Sequence, residues 1–481
     1  MPDGQHHLLL ITTDQQRWDT IHAAGNPHIR TPHLNWLLDS GIHFSRCYSD
    51  APICMAARCT IMTGRHGYTN QYMGNQPNTP MDARTSLPGI LARHGYQTRA
   101  EGKMHFSPNR GHFGFEHMEI LDDYYRYMKQ HPHLGVPTDH GLGQNEMEPG
   151  ANALPESHSL THWIVDRSVN FIETRDTSRP FFLWTSFSKP HPPFDPCPNY
   201  WQMYEHVDVP LPVYGDWSKT IEDVPQGFAQ PTYVLNNVHR FDEALLKACK
   251  RAYYACITQI DYNLGILFAR LRELGLLERT TIVFTSDHGE LLGDHHLGAK
   301  SIYLEGSAHV PLIVRPAKGV LDAARGSRCD ELACLADLLP TFVNLAGAKI
   351  PADRAIDGLD LLALQRGEAR RERFFGQGKD HHAVVEGRYK YTFTTLGGGE
   401  LLFDLEADPY ERRELIRAGK HAEVHARLKG CLVEHLAAQN HPAVKDGKLS
   451  ATDPAPSAAE IRARHSWPGF HSREQPSEVL H

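Results

Sequence analysis

Hydrophobic and polar positions fall into blocks along this chain, and the blocks change period. Residues 8–13 (LLLITT) form a run without polar alternation, closed by Asp14. Such a run predicts a strand buried on both faces. Thr31-Pro32 opens a helix, with Leu34, Leu37 and Leu38 at helical spacing. A second strand is predicted over 42–48, a helix from about Ala56, another over 86–94, and a strand over 96–100. Residues 107–157 are rich in Gly, His, Pro and Asn and read as a long excursion over the substrate side. Its tyrosines and histidines (Tyr124, Tyr125, Tyr127, His131, His133) suit either sugar binding or packing. A buried strand follows at 180–187, then Pro- and aromatic-rich loops over 192–235. A long helical pattern spans 241–274, and a strand over 280–286 ends in Asp287-His288-Gly289. This alternation predicts an α/β fold, a sheet sandwiched by helices, over residues 1–365.

From 366 the period shifts. Residues 382–395 are β-like, a Gly-rich turn follows at 396–399, and a helix is predicted over about 411–440. Residues 366–481 thus read as a small C-terminal α+β subdomain, with a surface arm from 450 onward.

Composition narrows the function. Hydrophobic residues make up 41% and charged residues 22% of 481, an ordinary globular balance. A net charge of −8 without a basic run argues against a nucleic-acid partner. No stretch approaches the ~20 apolar residues that span a bilayer. The expectation is a cytoplasmic protein without a membrane partner, or a periplasmic one if a leader has been trimmed; self-association is left open. The nine cysteines are odd in number and lack a CxxC pair, which argues against a disulfide framework.

Asp14 and Asp287 close two strands, and in open α/β sheets ligands bind at that edge. Oxygen-rich ligation there suits a hard cation. The segment from Cys54 to Arg65, with Arg58, Thr63 and Gly64, resembles the sulfatase signature C-x-[P/A]-x-R followed by T-G-R. Ala56 stands where the family more often has Pro. Glu305 to Pro311 and Phe403 to Pro409 resemble two further family segments, with His309 in place of the usual arginine.

The resemblance, to choline-sulfatase-like and arylsulfatase-like members, implies an alkaline-phosphatase-like mixed sheet and hydrolysis of a sulfate monoester. It implies that a maturation enzyme oxidises Cys54 to formylglycine, whose hydrate attacks sulfur. One divalent cation, Ca²⁺ first with Mg²⁺ or Mn²⁺ open, would be held by Asp14, Asp287, His288 and the oxidised Cys54. Gln15 stands where a second carboxylate is common. Arg58 would offset charge at the nucleophile. Gly102-Lys103-Met104-His105 matches G-K-x-H, making Lys103 a sulfate ligand and His105 a base. His191 would protonate the leaving alcohol, Lys300 would bind sulfate opposite Lys103, and Asn75 would stand beside the site. A sulfated carbohydrate is one candidate substrate. The alternatives are a phosphonate monoester or phosphodiester hydrolase and an inactive binding homologue. In the phosphonate branch a Thr or Tyr tends to stand near Lys103 and His105, so this pair favours sulfate.

Overall fold

The computed structural model describes residues 6–75, 81–137 and 140–452. In chain order the strands are β1 His7–Asp14, β2 Ile42–Phe44, β3 Cys47–Tyr48, β4 Gln97–Gly102, β5 His117–Ile120, β6 Phe181–Pro190 and β7 Thr280–Ser286. They continue as β8 His309–Val310, β9 Leu312–Arg315, β10 Ser327–Cys329 and β11 Ala333–Cys334. The last four considered are β12 Arg373–Gln377, β13 His381–Glu386, β14 Tyr389–Thr394 and β15 Glu400–Asp404.

The large sheet has the order β10-β2-β9-β7-β1-β6-β4-β5. Its centre is parallel, and β9 runs antiparallel between β7 and β2. The apolar run of β1 has no polar alternation because both faces are covered. Leu8 and Leu10 join a core with Phe182, Trp184, Ile61 and Phe342 on one side. Leu9 and Ile11 join Phe181, Leu183, Ile164 and Leu264 on the other. Helix α1 (Pro32–Asp39) lies on the second side and helix α2 (Cys54–Thr63) on the first.

Three local expectations change. Residues 42–48 make two strands, not one: β2 joins the large sheet, while β3 pairs with β11 and β8 in a second sheet. The 107–157 excursion is partly regular, with β5 as the sheet edge and a helix at Leu121–Lys129. Tyr124 on that helix is 1% exposed, packs on Trp163 and donates to the His158 carbonyl, so it serves packing rather than a sugar. The C-terminal helix begins at Ala422, not near 411, because Glu411 is held in the core. The arm expected from residue 450 falls mostly beyond 452, outside the described residues.

Strands β12 to β15 form an antiparallel meander on which the helix Ala422–Ala438 packs through Leu428, Leu432 and Leu436. A buried ion network joins this small sheet to the large body. Lys390 Nζ on β14 lies 2.7 Å from Glu305 and 2.6 Å from Glu411, and Glu305 also holds His309 at 2.7 Å. Burial opposes ionisation of Glu305, but Lys390 and His309 hold its carboxyl down at about 2. Lys390→Met strands two buried carboxylates, so we expect a loss of about 3–5 kcal/mol in a urea titration.

Candidate active site

Four neighbouring parallel strands deliver the site. In the order β4, β6, β1, β7, their C-terminal ends lead into Lys103, His191, Asp14 and Asp287. Gly102 has φ +97°, and a Cβ there would lie 2.1 Å from the Ser186 carbonyl, so only glycine lets β4 turn into Lys103. Helix α2 points its N-terminus at the same edge with Cys54 as its first residue. Gly64, left-handed at φ +65°, ends α2 and returns its N–H to the Thr60 carbonyl.

Ligand atoms of Asp14, Cys54, Asp287 and His288 all lie within 4.8 Å of one another. The Cys54 Sγ is 3.2 Å from His288 Nε2 and 3.7 Å from Asp14 Oδ1. The other oxygen of each carboxylate is neutralised from outside. Lys103 Nζ lies 2.5 Å from Asp14 Oδ2, and Arg58 Nε donates to Asp287 Oδ2 at 3.0 Å. Arg58 also reaches Asp14 Oδ2 at 3.4 Å and Ser186 Oγ at 2.7 Å. Its donors therefore brace the two carboxylates. His288 donates from Nδ1 to the Gly289 carbonyl at 2.9 Å, which aims Nε2 into the cluster.

Charges of both signs crowd this cluster. Burial and Asp14 push the Cys54 thiol up, yet Lys103, Lys300 and His288 hold it well below the usual thiol range. Burial works to lower His288, but Asp287 and the Cys54 sulfur raise it to about 9. Burial also opposes charge on Asp14, and the adjacent Lys103 ammonium nevertheless holds its carboxyl well below the usual range. Two carboxylates and an aimed imidazole are a donor set that fits one divalent cation.

Lys300 Nζ donates to Gln15 Oε1 at 2.5 Å and lies 3.1 Å from His191 Nε2. His191 Nδ1 donates to the Pro192 carbonyl at 2.7 Å, leaving Nε2 toward the site. Burial, Lys300 and Lys103 drive His191 well below its usual value. An anionic substrate would offset the two lysines. Asn75 Oδ1 accepts from the Met55 N–H at 3.2 Å and so caps α2, whose Ile53 cap has no side-chain bond. His105 sits at φ +53° with Nδ1 buried and unpartnered; no hydrogen bond ties it to the cluster.

Sequence reasoning missed two supports. Ser186 Oγ donates to the Lys103 carbonyl at 2.6 Å and receives Arg58. Glu290, fully buried, receives the Gln15 side-chain amide. Glu290's place directly after Asp287-His288-Gly289 was the available signal. His309, by contrast, is structural: it bonds Glu305 and the Ser45 carbonyl and stacks on Trp18.

A sulfatase family model matches residues 6–348, and a model for the C-terminal part of N-sulphoglucosamine sulphohydrolase matches 293–438. The chain is 31% identical to an arylsulfatase of Clostridium perfringens (strain 13 / Type A), across 95% of this chain and 99% of that one. It is 28% identical to a choline-sulfatase of Rhizobium meliloti (strain 1021), across 86% and 83%. The phosphonate monoester hydrolase of Agrobacterium radiobacter shares the fold, with a TM-score of 0.77, 24% identity and coverage of 91% and 95%. The family model covers most of the chain, and its match begins at the strand that ends in Asp14. This chain therefore belongs to the sulfatase family of the alkaline phosphatase superfamily, the sulfuric ester hydrolases.

Proposed function

We propose that the chain hydrolyses an organic sulfate monoester to alcohol and inorganic sulfate, with a formylglycine made from Cys54 as nucleophile. The observation that carries this reading is Cys54 itself, at the start of α2 and within 4.8 Å of the ligand atoms of Asp14, Asp287 and His288. A divalent cation held by those residues, Ca²⁺ first and Mg²⁺ or Mn²⁺ as alternatives, would make the nucleophilic oxygen easier to ionise. Lys103 and Lys300 bind the sulfate oxygens, where negative charge grows in the transition state. Arg58 holds both carboxylates in place. Bound sulfate offsets Lys103 and Lys300, which lets His191 take up a proton at Nε2. Nε2 then gives that proton to the departing alcohol, and His105 takes the proton whose removal frees sulfate. The helix N-terminus adds a favourable field for an anion at Cys54.

A stationed acid matters most for a poor leaving group, which points to a sugar or other alkyl sulfate. General acid catalysis is worth about 10²–10⁴-fold. His191→Ala should lose that much on a sugar sulfate and far less on nitrophenyl sulfate, read as kcat/KM. Equal losses on both substrates would remove His191 as the acid. Mass spectrometry of the tryptic peptide carrying Cys54 tests the nucleophile: the aldehyde form is expected, and an unmodified thiol throughout would leave an inactive homologue. A preference for a phosphonate monoester over every sulfate in the same panel would place the chain in the alternative branch.

A further inference from the structure

Glu290 has no part in the reaction described above, yet it is fully buried beside it. Its Oε1 accepts the backbone N–H groups of Leu292 at 3.0 Å and Ala299 at 2.6 Å. Those donors stand at the two ends of the loop that leads from Glu290 to Lys300. The loop is also closed by Leu291 N–H to the Ala299 carbonyl at 3.0 Å and Gly293 N–H to the Leu297 carbonyl at 2.8 Å. It carries non-glycine residues at positive φ, namely Leu292, His295, His296 and Ala299, a conformation that needs outside support. Glu290 supplies that support from within.

The other oxygen, Oε2, accepts Nε2 of Gln15. The Gln15 amide is thus held from both ends. A carboxylate can only accept, so it selects the amide nitrogen; the Lys300 ammonium can only donate, so it selects the amide oxygen, at 2.5 Å. Gln15 is itself at φ +74°, so its backbone is held against its own preference.

We infer that Glu290 is a positioning residue that sets Lys300 in the sulfate site, by closing the 291–299 loop and by orienting the Gln15 amide against the Lys300 ammonium. The inference rests on the sulfatase reading for the ligand of Lys300. It also gives a reason for Gln15 in a position where a carboxylate is common. A carboxylate there would face Glu290 inside the protein, and two buried like charges repel.

The test is an exchange of the pair. Glu290→Gln keeps an acceptor for the two backbone donors but turns an amide nitrogen toward the Gln15 nitrogen. Gln15→Glu sets two carboxylates face to face. The double variant Gln15→Glu/Glu290→Gln restores one donor and one acceptor and leaves an acceptor facing Lys300. Inorganic sulfate is the probe, titrated calorimetrically into each protein, with melting temperatures measured in parallel. Glu290→Gln should weaken sulfate binding about 10–100-fold, the worth of one charge-assisted contact. The double variant should recover most of that loss, and should melt above either single variant. A Glu290→Gln protein that binds sulfate like wild type overturns the inference, as does a double variant no better than the worse single. Failure of the wild type to bind sulfate would count against the sulfatase reading instead. The melting temperatures would still judge the clamp, and a double variant melting no higher than both singles would overturn it.

Discussion

Cys54→Ala lowers turnover by about 10⁶-fold, the scale lost when a covalent nucleophile is deleted, and leaves the protein folded. The two halves of this expectation come from different features. Cys54 is the one side chain at the centre of the site that can become a nucleophile, since Asp14 and Asp287 are held by Lys103 and Arg58. Its sulfur contributes little to apolar packing: it faces polar groups, His288 Nε2 at 3.2 Å and Asp14 Oδ1 at 3.7 Å. Alanine is also the best helix former for the first position of α2. The measurement is kcat on nitrophenyl sulfate beside a melting curve. Turnover within about tenfold of wild type, against the loss expected for a deleted nucleophile, would end the formylglycine reading.

Stripping the protein with a chelator should abolish activity as completely, and Ca²⁺, Mg²⁺ or Mn²⁺ should restore it. Asp14, Asp287 and His288 are all buried with no exposed side-chain area, and two carboxylates so close together repel in the absence of a cation. Arg58 and Lys103 neutralise only the outer oxygens. A second readout does not depend on turnover. A cation that binds only the folded state stabilises it by about 2.7 kcal/mol at a hundred times its dissociation constant, visible as a higher melting temperature. Full activity in protein shown to be metal-free would refute the site. Two cations per chain would move it toward the phosphatase branch.

The parts of the site legible in the sequence were those fixed by strand ends and short motifs. Asp14 and Asp287 follow apolar runs that mark strand ends, while Cys54 and Arg58 stood out through their resemblance to the sulfatase signature. What spacing could not show was pairing across the sheet. Glu290 and Gln15 are neighbours only because β1 and β7 lie side by side, a register set by the whole core. The same limit applied to the fold. The β2–β3 segment reads as one strand because Ile42, Phe44, Cys47 and Tyr48 spread apolar positions along its whole length; the break at Ser45-Arg46 appears only when two sheets compete for it. The helix Leu121–Lys129 was obscured by its charged outer face, and the helix Leu160–Thr174, capped by Ser159, had no reading at all. In the C-terminal region, helix-forming residues near 411 are overridden by Lys390, which takes Glu411 into the core.

The sealing of Cys54 has a consequence in time. The thiol is 2% exposed, and the turn that presents it is closed by late-arriving pieces of chain. The Gln377 N–H on β12 bonds the Asp50 carbonyl, and β3 just before it is flanked by β8 and β11. A second enzyme cannot reach a side chain enclosed in this way, so on the proposed formylglycine reading the oxidation of Cys54 would have to precede closure. A ribosome adding about 5–20 residues per second needs roughly 15–55 s to travel from Cys54 to Cys334. That interval is the window in which the cysteine is still a flexible peptide. Faster synthesis or faster folding narrows it, so the active fraction of a preparation would be set by kinetics during its production, and two batches of identical sequence could differ in specific activity while melting alike.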